Sequence, residues 1–140
     1  MTDEKLVKFN RTGENIPVTF IETAEVTKGV RCDVYRFLED ETRDLGVIYV
    51  EPGCKTPLQK VLEGEKTIEG FYMGRGILTI IKINGEKETY EVDDKSGKDF
   101  FQEVRVGETM QWEATPDSIL IAYEVCYPPY KPGRYEDLVE

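Results

Sequence analysis

The chain has 140 residues, of which 39 % are hydrophobic and 33 % are charged, and its formal net charge is −10. This length and composition predict one globular domain over residues 1–140, with an acidic surface that disfavours nucleic acid and anionic membranes as partners. There is no apolar run long enough to span a bilayer, and the first residues lack the features of a signal peptide, so we expect a cytoplasmic protein.

Short segments of alternating polarity recur along the chain between turn residues, and no long amphipathic helix pattern interrupts them. These segments predict strands over residues 18–21, 30–35, 45–50, 76–83, 88–92, 101–106, 110–114 and 119–125. Asn84-Gly85 predicts a tight hairpin, and the acidic segment 38–42 predicts a loop. The pattern favours an all-β antiparallel sandwich or barrel with its core over about residues 16–126.

The C-terminal segment 127–140 is rich in proline and tyrosine. Three prolines within residues 127–135 remove backbone donors, so we expect no strand or helix there but an extended tail across the barrel surface. Its candidate surface anchors, which would cover a sheet edge or a second subunit, are Tyr127, Tyr130, Arg134 and Tyr135.

Cysteine and histidine usage limits the chemistry of the chain. Cys32, Cys54 and Cys126 are odd in number and widely spaced, which is typical of reduced, core-filling thiols rather than of disulfides or a zinc site. The chain contains no histidine at all.

Two glycine-centred segments, residues 52–61 and 104–110, resemble the two sequence motifs of the cupin (RmlC-like) barrel. In the first motif the two histidine positions fall on Gln59 and Val61, and the acidic position falls on Glu65 or alternatively on Thr67 or Glu69. The motif closes with a predicted glycine turn, Gly74-Arg75-Gly76. In the second motif the histidine and asparagine positions fall on Met110 and Ala114, with Arg105 in place of a proline.

The resemblance implies a double-stranded β-helix, or jelly roll, of the small stand-alone cupin type. Such barrels commonly hold a metal through histidines. Here Gln59 is a weak oxygen donor, Val61 is no donor, and Met110 is a soft thioether that suits only Cu(I). We therefore expect no metal and no cofactor.

The same positions are expected to face the barrel interior, because residues i and i+2 share one face of a strand. This predicts a small-molecule site lined by Gln59, Val61, Met110, Trp112 and Tyr123, with Glu65 or Glu69 as the nearby charge. Val61 and Met110 are more typical of a packed core than of a ligand contact, whereas Trp112 is equally typical of a core plug.

Weak catalytic candidates are Glu65 and Glu69, paired with Tyr72 or Tyr123 as acid and base. Glu69 also fits a solvent-exposed carboxylate on a strand. Arg75, at the predicted turn, is a candidate contact for an anionic ligand or simply a turn residue.

Three functions remain open. The first is a metal-free cupin that binds a small polar organic ligand, a sugar or a carboxylate. The second is a metal-independent sugar isomerase, epimerase or lyase that uses glutamate and tyrosine. The third is a structural or interaction protein whose barrel is filled by side chains. The resemblance to stand-alone cupins also implies a homodimer.

Overall fold

The computed structural model describes residues 4–8, 15–38, 40–96, 99–129 and 133–138, and within these ranges almost all regular structure is β. One short 3-10 turn, Asp94–Ser96, accompanies the strands. The strands are β1 (Glu4–Lys8), β2 (Asn15–Thr27), β3 (Val30–Phe37), β4 (Asp44–Val50), β5 (Leu58–Val61), β6 (Lys66–Ile81), β7 (Lys87–Asp93), β8 (Phe101–Arg105), β9 (Thr109–Ala114), β10 (Leu120–Tyr127) and β11 (Tyr135–Leu138).

The strands form two layers that share one long strand. The first layer has the order β1-β2-β3-β4-β10-β6-β8, and the second has the order β7-β6-β9-β5-β11, with every pair antiparallel. The first half of β6 pairs with β10 and β8, and its second half pairs with β7 and β9. Strand β6 therefore crosses from one layer to the other and closes the jelly roll.

The crossing point is Gly74. Its φ is +91°, which a side chain disfavours, and a Cβ there would lie 1.8 Å from the carbonyl oxygen of Ile119. The predicted turn over residues 74–76 is thus a bend inside β6 rather than a turn between strands. Arg75, beside the bend, pairs with Asp117 at 3.3 Å on the exposed surface.

Two apolar clusters lie on opposite faces of the first layer. The cluster between the layers includes Trp112, Leu78 and Phe71, and the other cluster includes Tyr35, Tyr123 and Leu45. Strand β10 contributes to both, because Leu120 and Ala122 face the interior while Tyr123 and Val125 face outwards. The first layer is therefore apolar on both of its faces.

The antiparallel barrel is confirmed, and each predicted strand corresponds to a strand of the structure. Strands β1, β5 and β11 were not predicted. The expectation of a tail without strands is wrong at Tyr127, the last residue of β10, and from Tyr135 onwards, because Tyr135–Leu138 pairs with β5 and covers its edge. Tyr130 lies outside the described residues. The hairpin at Gly85 is present, closed by the amide of Lys82 on the carbonyl oxygen of Glu86.

Candidate functional site

A cavity of about 220 Å³ lies inside the barrel between the first layer and strands β5 and β11. Its wall combines apolar side chains with carboxylates, thiols and a phenol. None of the described residues that line it is lysine or arginine. The lining residues are Glu22, Ala24, Val26, Cys32, Val34, Asp44, Gly46, Ile48, Thr56, Gln59, Glu124, Cys126 and Tyr135.

Gly46 helps to keep this space open. It lies directly opposite Glu124 across the β4–β10 pair and opposite Val34 across the β3–β4 pair. A Cβ at Gly46 would come within 2.9 Å of the Cys32 sulfur. The missing side chain therefore leaves room beside the Glu124 carboxylate.

The main polar feature of the interior is a pair of glutamates, Glu69 and Glu124. They are directly opposed residues of the antiparallel strands β6 and β10, so their Cβ atoms lie on the same face about 5 Å apart. Glu69 is 1 % exposed, whereas Glu124 keeps part of its accessible surface because it lines the cavity. Two carboxyl groups thus meet inside the barrel.

Each carboxyl group receives one hydrogen bond from an aromatic side chain. The indole Nε1–H of Trp112 donates to Glu69 Oε1 at 2.8 Å, and the hydroxyl of Tyr135 donates to Glu124 Oε1. The Tyr135 hydroxyl also lies 3.1 Å from Cys126 Sγ. Strands β9 and β11, which both belong to the second layer, thereby supply one hydrogen-bond donor to each carboxyl group.

Burial dominates the electrostatics of the pair. It raises the pKa of Glu69 well above its ordinary value, and the neighbouring Glu124 charge raises it further. Burial also raises the pKa of Glu124, although hydrogen bonds from Tyr135 and Glu69 oppose this shift. A hydrogen bond between the two side chains requires a proton on one of them. Burial and the charge of Glu124 both favour the protonated form of Glu69, so the proton lies on Glu69.

Burial also keeps the neighbouring groups neutral. It raises the pKa of Cys32, Cys126 and Tyr135, and in each case the charge of Glu124 adds to the shift. The thiols are therefore poor nucleophiles, and the phenol is a hydrogen-bond donor rather than a phenolate.

The segment that precedes β11 is held by a buried arginine. Arg134 is 2 % exposed, and its guanidinium donates to the carbonyl oxygens of Pro128, Lys66 and Tyr127. The expectation that Arg134 is a surface anchor is wrong for this reason. Arg134 ties the C-terminal segment to β6 and β10 and so holds Tyr135 over the cavity.

Five of the predicted site residues face the interior, namely Glu69 of the glutamate pair and the four that follow. Val61, Met110 and Trp112 are buried in the core between the layers, and Thr67 Oγ1 lies 3.9 Å from Met110 Sδ. Gln59 lines the cavity, and its amide nitrogen donates to Asp137 of β11 at 3.1 Å. Of these four, Gln59 lines the cavity, and Trp112 donates a hydrogen bond to Glu69 of the glutamate pair.

The other predicted residues lie elsewhere. Tyr123 and Tyr72 pack edge to face on the outer face of the first layer, with ring centroids 5.7 Å apart. Glu65 is exposed in the turn between β5 and β6. None of these three side chains is therefore beside Glu69, and Glu69 itself is buried rather than solvent-exposed.

The cupin fold implies a metal, but the residues at the corresponding positions do not fit one. Val61 is aliphatic, Met110 offers only a thioether beside Thr67, and the Gln59 amide is turned towards Asp137. Among the described residues there is no group of three or more Cys, Asp or Glu side chains with the geometry to hold a metal ion.

Sequence reasoning missed Glu124 and Tyr135. Alternation along β10 defined two faces but did not say which one is interior, since Ile121, Tyr123 and Val125 form the more apolar set. The available signal was Glu124 itself, a lone acidic residue in an apolar strand. Tyr135 carried no comparable signal, because its strand follows a proline-rich segment.

Comparison with solved structures identifies the fold. The chain matches the capsular polysaccharide assembling protein CapF from Staphylococcus aureus with 16 % identity and a TM-score of 0.66, over 89 % of this chain and 35 % of that one. It matches oxalate decarboxylase from Bacillus subtilis with 17 % identity and a TM-score of 0.68, over 84 % of this chain and 30 % of that one. The chain thus spans about a third of the length of either protein.

Both are cupin-fold proteins, and the chain therefore has the cupin fold. No family model and no curated protein sequence matches it. No helix among the described residues is long and apolar enough to cross a membrane.

Proposed function

We propose that the barrel binds a small polar organic molecule in the cavity beside Glu124, Tyr135 and Gln59. The observation that carries this proposal is the cavity of about 220 Å³, whose wall includes Glu124, with the buried carboxyl group of Glu69 behind it. A barrel filled by side chains, as an interaction protein would have, leaves no such space. The volume is below the ~300–1,000 Å³ of pockets for drug-sized ligands, which suits a monosaccharide or a smaller molecule.

The charge of the cavity selects between the two ligand types expected from the sequence. Glu22, Asp44 and Glu124 line the wall, and no described lysine or arginine accompanies them there. A carboxylate ligand would be repelled, whereas hydroxyl groups can donate to the glutamate oxygens. One similar structure is named for capsular polysaccharide assembly and another for oxalate decarboxylation. Of these two substrate types, the carbohydrate is compatible with this wall.

The proposal is tested by titrating the protein with D-glucose and D-glucosamine while recording backbone amide shifts. We expect shifts at residues that line the cavity. The variant Ala24→Leu places a larger side chain into the cavity and should abolish them, whereas Thr23→Leu, on the exposed opposite face of β2, should preserve them. Unchanged binding in Ala24→Leu would place the site elsewhere.

A second candidate function is acid–base catalysis, which the glutamate pair favours. Glu124 borders the cavity and can accept a proton from a ligand carbon, and Glu69 behind it can supply the proton that the pair shares. This chemistry suits a sugar isomerase or epimerase. Incubation with D-fructose in D2O should then introduce deuterium beside the carbonyl, and Glu124→Gln should stop the exchange while Glu113→Gln does not. Absence of exchange in the wild type would contradict it.

Two features expected from the sequence belong to the same proposal. A homodimer is consistent with the stand-alone cupin type, and the acidic composition is consistent with a cytoplasmic protein. Light scattering at micromolar concentration tests the first, and a monomer there would contradict it.

A further inference from the structure

The polar groups of the cavity are unbalanced, because acceptors outnumber donors. The Tyr135 hydroxyl is already bonded to Glu124, and the Gln59 amide nitrogen is bonded to Asp137. The wall otherwise presents carboxylates, thiols, apolar groups and the hydroxyl of Thr56, which accepts the backbone amide of Trp112. A ligand that completes the hydrogen bonds of this wall must therefore bring donors of its own.

Glu69, behind Glu124, adds a further buried acceptor without a donor. Its Oε2 atom is buried and receives no hydrogen bond from any donor of the described protein, while Oε1 is bonded to Trp112. Glu69 lies directly opposite Glu124 on the interior face, so the two carboxyl groups are neighbours inside the barrel. In the free protein the two carboxyl groups can form a hydrogen bond only by sharing a proton, since an ionised carboxylate is an acceptor only.

We propose that the ligand of this cavity carries a protonated amine, which takes the place of the shared proton between Glu69 and Glu124. The inference rests on the proposed function and names its ligand class. On binding, the ammonium donates hydrogen bonds to both carboxylates, and the pair releases one proton to solvent. No covalent bond of the ligand changes.

The groups around the pair agree with a cationic ligand. The titratable and charged groups that face it from the surrounding strands are Glu22, Cys32, Asp44, Cys126, Arg134 and Tyr135. Only Arg134 is cationic, and its guanidinium is bonded to three backbone carbonyl oxygens. The thiols and the phenol are neutral, so the net field favours a positive charge.

Release of a proton makes the binding pH-dependent in a defined direction. Protons compete with the ammonium for the pair, so the affinity should rise with pH while the pair holds its proton and the amine stays charged. The expected slope is up to about tenfold per pH unit for one released proton. A neutral sugar would bind without displacing the proton of the glutamate pair, so its affinity would not show this dependence on pH.

The test is isothermal titration with two matched sets of probes: D-glucosamine, D-glucose and D-glucuronate, and 3-amino-1-propanol, 1,3-propanediol and 3-hydroxypropionate. Titrations in phosphate and in MOPS, which differ in ionisation enthalpy and carry no primary amine that could compete for the site, count the protons released. We expect an amine to bind at least tenfold more tightly than its neutral counterpart, with release of close to one proton. Glu69→Gln should abolish the release, and Glu113→Gln, an exposed change on β9, should leave it intact.

The outcomes separate this inference from the proposed function. Binding of a neutral sugar as tight as that of its amine, binding of a carboxylate, or amine binding without proton release would overturn the ligand class but leave the cavity as a binding site. If none of the six probes binds, both proposals fail.

Discussion

Glu69 and Glu124 face each other across the β6–β10 pair inside the barrel, each held by an aromatic donor from another strand. Like charges directly opposed on neighbouring strands are destabilising, and burial strengthens the repulsion. The fold tolerates the pair because one proton can be shared between the two carboxyl groups. This relationship connects the architecture to each prediction about pH.

The stability of the protein should fall as pH rises from the ordinary glutamate pKa to the raised pKa of Glu69, because over this range only the folded protein holds the proton. The pKa of Glu69 is raised in the folded state, so the native protein keeps a proton that the unfolded chain releases above about pH 4.3. The free energy of unfolding then decreases by up to about 1.4 kcal/mol per pH unit for this proton. Urea denaturation between pH 5 and 8 measures the slope.

Glu69→Gln should flatten that slope, because glutamine carries no titratable proton. Glu113→Gln should keep the wild-type slope. Parallel curves for wild type and Glu69→Gln would show that Glu69 does not hold the proton.

Removing the Arg134 side chain should release the C-terminal strand. In Arg134→Met the carbonyl oxygens of Pro128, Lys66 and Tyr127 lose their donor, which should lower the free energy of unfolding by at least about 2 kcal/mol. Amide hydrogen exchange in β11 should accelerate more than in β9. The control is Arg105→Met, whose side chain is 72 % exposed and should change stability little. Equal exchange in β11 of both variants would contradict this role.

The fold could be predicted because its signals are local in sequence. Strand alternation and the glycine pattern predicted the barrel, and they placed Gln59, Val61, Met110 and Trp112 on interior faces. The site could not be predicted in the same way, because it is formed by pairings between strands that are distant in sequence. No local pattern brings Glu69 of β6 opposite Glu124 of β10, or carries Tyr135 across the interior, and the two apolar faces of the first layer concealed which side of β10 is interior.

The bend in β6 should be sensitive to a single methyl group. In Gly74→Ala the added Cβ meets the Ile119 carbonyl oxygen, whereas in Gly85→Ala it meets nothing within 4 Å. Both residues have a positive φ, so both variants carry backbone strain of about 1–2 kcal/mol. Thermal unfolding should show a markedly larger loss for Gly74→Ala. Equal losses of thermal stability in the two variants would mean that the close approach of β6 to Ile119 is not required to close the barrel.

Direct observation of the two carboxyl groups tests the central claim. Carbon-13 NMR of protein labelled at the glutamate side-chain carboxyls, assigned with Glu69→Gln and Glu124→Gln, follows each group through a pH titration. We predict that the pair keeps one proton after an ordinary glutamate has lost its own, with Glu69 titrating well above the ordinary glutamate pKa of about 4.3. Ionisation of both groups near that ordinary value would contradict the shared proton and the account of the site built on it.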